Sequence, residues 1–167
     1  MNQPTTNRHG SAVVTLPSDT EVLVTRKFDA PAALVFQAYT TPELVRRWYG
    51  FSEDVWLVCE IDLRVGGKWR YVTKHEDFEV GFHGEYREIS PPGRLVATEC
   101  YEGIPDPDGN AALDIVTFDE QDGVTTMTLL VQMPSKEARD MMLESGMESG
   151  MQVSYDRLED VLRDEQG

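Results

Sequence analysis

Three polar side chains fall where an otherwise apolar pattern aims them inward: Asp114, Tyr155 and Tyr49. Asp114 lies in ALDIVTF (112–118), just before the strand-like run VTTMTLLVQM (124–133). If Asp119 pairs with Val124, then Val116 faces Met127 and Asp114 faces Leu129. Met127, Leu129, Val131 and Met133 are the more apolar alternating set, so they point to the core and carry Val116 and Asp114 with them. A carboxyl group on an apolar face is either paired or held neutral by a raised pKa. Two readings stay open. Asp114 is hydrated or paired with an arginine near the strand end, or it is a ligand anchor or general acid/base. Tyr155 offers the best-placed hydroxyl on the inner stripe of the last helix, and Tyr49 ends a short helix with its hydroxyl free to meet a polar ligand group.

Other chemistries lack their residues. GMESG (146–150) is not a nucleophile elbow, because Ser149 is one position late and sits in a helical pattern. No phosphate loop or GxGxxG is present. In EGIPDPDGNAALD the glycine falls at the fourth position from Asp106 instead of the sixth, so a solvated turn is expected rather than a calcium loop. His75 and His83 fall on different strands and His9 lies near the start, so no metal site and no cofactor are expected. Cys59 and Cys100 both sit in apolar strand patterns and read as buried free thiols.

Charge narrows the partners. The chain holds 30 acidic and 15 basic residues, a formal charge of −15. Such a surface lacks the basic stripe of a nucleic-acid binder and repels anionic membranes. No run of apolar residues is long enough for a membrane span, and MNQPTTNRHGS has no signal-peptide core, so a cytoplasmic location is expected.

These side chains must be positioned by regular elements. Residues 1–10 read as a disordered tail and 11–165 as one domain. AVVTL (12–16) and EVLVTRKF (21–28) read as strands. Asp29, Pro31 and an apolar stripe through Leu34, Val35, Ala38 and Tyr39 predict a short helix, and Thr41-Pro42 starts a second that Gly50 ends. Six more strand-like runs follow, separated by glycine, proline and aspartate turns: 55–62, 68–74, 80–89, 94–101, 112–118 and 124–133. Short connections imply antiparallel neighbours. Ser135 caps a final helix to about Leu162, with Met147, Met151, Tyr155, Leu158 and Leu162 on one face and Arg157, Glu159, Asp160 and Arg163 on the other. One helix cannot cover both faces of a large sheet. The expected fold is therefore α+β: a curved seven-stranded antiparallel sheet gripping a long C-terminal helix, with two short helices after the first long strand.

Such a grip leaves room for a cavity between sheet and helix. Trp48 and Tyr49 would sit at its mouth. Trp69 and Tyr71, with Phe82 and Tyr86, would share wall and core duties. Met127 supplies the strand side, and Met147 and Met151 an adaptable roof. Gly146 and Gly150 weaken the helix by about 1 kcal/mol each relative to alanine, which suggests close approach or open space there.

Five stretches also resemble a known family: RKFDAPAALVFQAYTTPELVRRWYG (26–50), EIDLRVGGKWRYV (60–72), GEYREISPPGRLVATE (84–99), TFDEQDGVTTMTL (117–129) and GMESGMQVSYDRLEDVL (146–162). In this order they resemble the START-like (SRPBCC, birch-pollen-allergen-like) superfamily, closest to the family of activators of the heat-shock-protein-90 ATPase. The resemblance implies a helix-grip fold with a mainly apolar cavity and no shared catalytic set. Gly150-Met151 stands where the family pattern has Gly-Trp, so a flexible thioether replaces a rigid indole.

Three functions compete. A binding protein for a small apolar or amphipathic ligand is favoured by the aromatic and methionine walls. An enzyme, such as a cyclase, dehydratase or hydrolase acting on an aromatic or polyketide-like substrate, needs two converging polar groups, and Asp114, Tyr155 and Tyr49 are those available. A co-chaperone or stress-response interaction module follows only from the family name. Exposed edge strands would also invite a homodimer.

Overall fold

The computed structural model describes residues 12–167, and the expected tail at 1–10, with His9, lies outside the described residues. The strands are β1 (Val13–Thr15), β2 (Glu21–Phe28), β3 (Val55–Ile61), β4 (Lys68–His75), β5 (Phe78–Ser90), β6 (Arg94–Tyr101), β7 (Ala112–Gln121) and β8 (Val124–Gln132). The helices are α1 (Ala32–Thr40), α2 (Pro42–Trp48), α3 (Lys136–Glu144) and α4 (Met147–Glu165). All eight strands join one antiparallel sheet in the order β1-β2-β8-β7-β6-β5-β4-β3. This is the expected α+β helix grip with one strand more than the seven foreseen. The eighth is β1, the strand read at 12–16 but left out of the sheet count, whose three residues pair with β2 from Val13↔Thr25 to Thr15↔Leu23.

The final helix is not continuous. Ser135 caps α3 as expected, its hydroxyl accepting from the Ala138 amide. The helix then stops at Ser145, and Gly146 takes a left-handed φ of 83° before α4 begins. A side chain there would be strained, so Gly146 serves a break between helices rather than close approach. Gly150 lacks that left-handed backbone, and a Cβ added to either glycine would meet nothing within 4 Å.

The helix pair is held by groups other than those foreseen. Asp29 does not cap α1. Pro31 occupies the cap position, and the Ala32 amide donates to Glu120 Oε1 on β7 at 2.8 Å. The end of α2 is tied to α4: Arg157 donates to the carbonyls of Gly50 and Arg47 at 2.6 and 2.9 Å, and the Gly50 amide donates to Ser154 Oγ at 3.0 Å. Arg157 thus closes the exposed carbonyls at a helix C-terminus.

The core lies between the concave sheet and the helices. Strand β2 sends Val22, Val24, Arg26 and Phe28 inward. Arg26 is 2% exposed. Its guanidinium pairs with Asp156 and Glu159 of α4, each at 2.9 Å, and lies over the Phe28 ring. Glu159 is therefore buried, against the expectation that it faces solvent. Helical periodicity places it beside Leu158 and Leu162, and only a buried cation on the facing strand makes that position tenable.

Candidate functional site

The β7–β8 hairpin aims the expected acid. Its turn is the two residues Asp122-Gly123, with φ values of 54° and 81°, and the pairs run from Gln121↔Val124 through Val116↔Leu129 to Asp114↔Val131. The expected register was off by two residues, because the Asp-Gly turn is tighter than a four-residue loop. A shift of two preserves the face, so Asp114, Val116 and Phe118 still point inward with Met127 and Val131. Val116, Phe118, Met127 and Val131 are buried, and Leu129 packs partly against them.

Asp114 stands on the inner face with a second acid that sequence reasoning missed. The β6–β7 pairs Ala97↔Asp114 and Glu99↔Ala112 put Glu99 on the same face, diagonally across from Asp114. Burial first, then the neighbouring Glu99 charge and hydrogen bond, raise the Asp114 carboxyl well above the usual range. Its Oδ1 is closed off from solvent and has no hydrogen-bond partner among the described residues. The available signal for Glu99 was its parity with Leu95 and Ala97 along β6.

The tyrosines stand around this acid. Tyr155 on α4 and Tyr39 on α1 share a hydrogen bond between hydroxyls at 3.0 Å. Burial pushes Tyr155 up to about 12, and the Asp114 and Glu99 charges add to the shift. Tyr39, Tyr49 and Tyr71 are likewise raised well above the usual phenol range, mainly by burial. Yet Tyr39, Tyr49, Tyr71 and Asp114 all keep accessible surface and are only half-buried. They are deep enough to be desolvated and still not packed on every side.

The rings form a continuous series. Centroids lie 6.0 Å apart for Phe28–Tyr155, 6.2 Å for Tyr155–Trp48, 6.1 Å for Trp48–Tyr49, 5.1 Å for Tyr49–Tyr71 and 4.8 Å for Tyr71–Trp69. Trp48 is a core residue whose indole donates to the Ala38 carbonyl, so its polar atom is satisfied by backbone. Trp69 likewise donates to the Thr98 carbonyl. Trp56 on β3, not foreseen, contacts Tyr49 and Tyr71. Tyr86 is buried beside these rings, and Phe82 packs partly against the core with its ring 5.2 Å from that of Tyr101. Met151 packs partly against the core, and Met147 is half-buried at the start of α4.

Two surface recesses lie elsewhere. One of about 570 Å³ opens between Asp29 and the end of α4. The other, of about 230 Å³, lies on the outer face of the sheet beside His83 and Cys100. Asp62 and Arg64 form an exposed pair at 2.9 Å next to the tight turn at Gly67. A Cβ on Gly67 would lie 2.0 Å from the Asp62 carbonyl, which accounts for the glycine structurally. No described helix is long and apolar enough to cross a membrane.

The fold has close counterparts. A Rhodobacter sphaeroides protein shares 25% identity at a TM-score of 0.82, over 91% of this chain and 98% of its own. Protein Ms6760 from Mycobacterium smegmatis shares 23% identity at 0.81, over 92% and 97%. A protein of the dynemicin biosynthetic locus, DynU16, shares 21% identity at 0.66, over 88% of this chain and 48% of its own. No curated protein matches the sequence. Residues 29–163 match the family described as Activator of Hsp90 ATPase homolog 1-like protein. With that match spanning most of the domain and the helix grip in place, the chain belongs to this family, as its five motifs led one to expect.

Proposed function

We propose that this protein binds a small amphipathic ligand between the sheet and α4, with the ligand's polar end at Asp114 and its apolar body against the half-buried tyrosines and Met151. The observation that carries the reading is the buried Asp114 Oδ1 without a hydrogen-bond partner among the described residues. Leaving a buried polar atom unsatisfied costs about 1–3 kcal/mol. A ligand hydroxyl, amide or amine would recover that cost. The half-buried state of Tyr39, Tyr49 and Tyr71 supports the same place. Met151, where the family pattern has tryptophan, would let the wall adapt.

The test is thermal stabilisation by matched pairs of compounds that share one hydrocarbon body and differ in a hydrogen-bonding head group. A ligand at about 100 times its Kd stabilises by about 2.7 kcal/mol. The headed member of a pair should raise Tm more than its bare partner, and Asp114→Asn should shrink that difference. If no compound raises Tm, or if Asp114→Asn responds as the parent does, the reading fails.

One observation favours a second reading. Asp114 and Glu99 are adjacent carboxyls, and Asp114 is raised. A carboxyl held protonated in an apolar setting suits a general acid. On that reading the same site would turn over its ligand, and Asp114→Asn would abolish turnover far beyond its effect on binding.

A further inference from the structure

The outer face of the sheet carries a second constellation, remote from the interior acid. His83 on β5 and Cys100 on β6 are directly opposed in the antiparallel ladder, so their side chains rise from the same face side by side. The segment after β6 folds back over them and makes a short 3-10 turn at Asp108–Asn110. This brings Asp108 Oδ1 to 2.7 Å from His83 Nε2. One ligand-type atom from each of His83, Cys100 and Asp108 lies within 4.8 Å of the other two. Histidine spacing along the chain gives no hint of this, because the three residues meet only through strand pairing and a loop of no regular pattern.

We propose that His83, Cys100 and Asp108 form a binding site for one divalent transition-metal ion of the zinc or cobalt class. The donor set is nitrogen, sulfur and oxygen, which suits borderline metals and not magnesium or calcium. Zinc bonds of about 2.0–2.3 Å to such atoms need only small movements from this cluster. Two of the three ligands stand on paired strands, so their spacing is set by the sheet, and Asp108 on the exposed turn supplies the adjustable third.

The surroundings already resemble a ligand-orienting shell. Glu102 Oε2 lies 2.7 Å from His83 Nδ1, and Arg70 holds the Glu102 carboxylate through two bonds of 3.0 Å. A carboxylate on one imidazole nitrogen fixes the ring and leaves the other nitrogen to the metal, the usual arrangement around a metal-bound histidine. Three protein ligands leave a fourth position for water or an exogenous group. The recess of about 230 Å³ that borders His83, Cys100 and Asp108 gives that position room.

The experiment is a Co²⁺ titration of the full, reduced, metal-stripped chain. It should saturate at one equivalent, with a near-ultraviolet thiolate-to-cobalt band and the visible bands of a tetrahedral ion, and Zn²⁺ should displace them. Cys100→Ser should lose the thiolate band, and Cys59→Ser should keep it. Asp108→Asn, at an exposed turn, should weaken binding. Glu102→Gln should weaken it by about 10–100-fold while leaving the ligand count unchanged. Circular dichroism of each variant confirms that the sheet is intact. No saturable binding by the parent, or a thiolate band that survives Cys100→Ser, would overturn the proposal.

Discussion

The interior of the grip holds charge in two places, and they are built in opposite ways. Around Arg26 the cation meets Asp156 and Glu159 at 2.9 Å and stacks over Phe28. Asp114 forms no ion pair with a cation among the described residues. A second acid stands beside it, and one oxygen has no partner among the described residues. The first arrangement spends its charges on fixing α4 to β2. The second places a carboxyl oxygen without a partner among the described residues in an apolar setting, the feature on which the proposed ligand site rests. A cation between two acids ties elements together here, whereas the acid beside a second acid has no such structural pairing.

That contrast can be broken or sharpened by substitution. The largest effect belongs to the clamp. Arg26→Ala leaves Glu159 buried without its strongest partner and should cost about 3–5 kcal/mol in urea unfolding. Replacing both partners together, Arg26→Met with Glu159→Leu, should recover most of that loss, because well-packed apolar groups often match a buried pair. If the double variant is as unstable as the single one, the clamp is not the cause.

At the other acid the sign reverses. Asp114 is raised in the folded protein, so folding favours its protonated form. Its contribution is fully present below the ordinary aspartate range of about 3.9 and is lost as pH rises towards the elevated folded value. Asp114→Asn removes this dependence. The variant's stability relative to the parent should therefore grow as pH rises above about 4. Unfolding curves at several pH values would show it, and a constant difference would contradict the raised carboxyl.

Smaller effects test the rest of the wall. Tyr155→Phe removes the hydroxyl that meets Tyr39 at 3.0 Å and should cost about 0.5–1.5 kcal/mol in the ligand-free protein. Gly150→Ala should stabilise by up to about 1 kcal/mol, because the added methyl meets open space and alanine suits a helix. Thermal unfolding measures both. A destabilised Gly150→Ala would mean that the space there is not open.

The sequence made the frame legible and left the pairings hidden. Alternation along β2, β7 and β8 and the turn residues between strands sufficed for the antiparallel sheet. The inward side of Asp114 survived a register error because strand faces repeat every two residues. Gly146 was visible as a weak helix former, but its left-handed backbone, and so the break between α3 and α4, depends on how the chain turns after Ser145. Arg26 and Glu159 look like surface charges in their own elements. Their burial is decided by a partner 133 residues away. The same holds for Glu99 beside Asp114 and for Cys100 and Asp108 beside His83. Local periodicity reports which face a residue takes, and says nothing of what stands across from it.

The most direct test of the interior site is native mass spectrometry of freshly purified protein and of Asp114→Asn, followed by denaturing extraction of whatever is bound. The account predicts a one-to-one adduct on the parent, an amphipathic compound with a hydrogen-bonding head, and a diminished adduct on Asp114→Asn. A clean unliganded mass for the parent, with no compound from an amphipathic panel binding on addition, would contradict it and return the tyrosines and methionines to core packing.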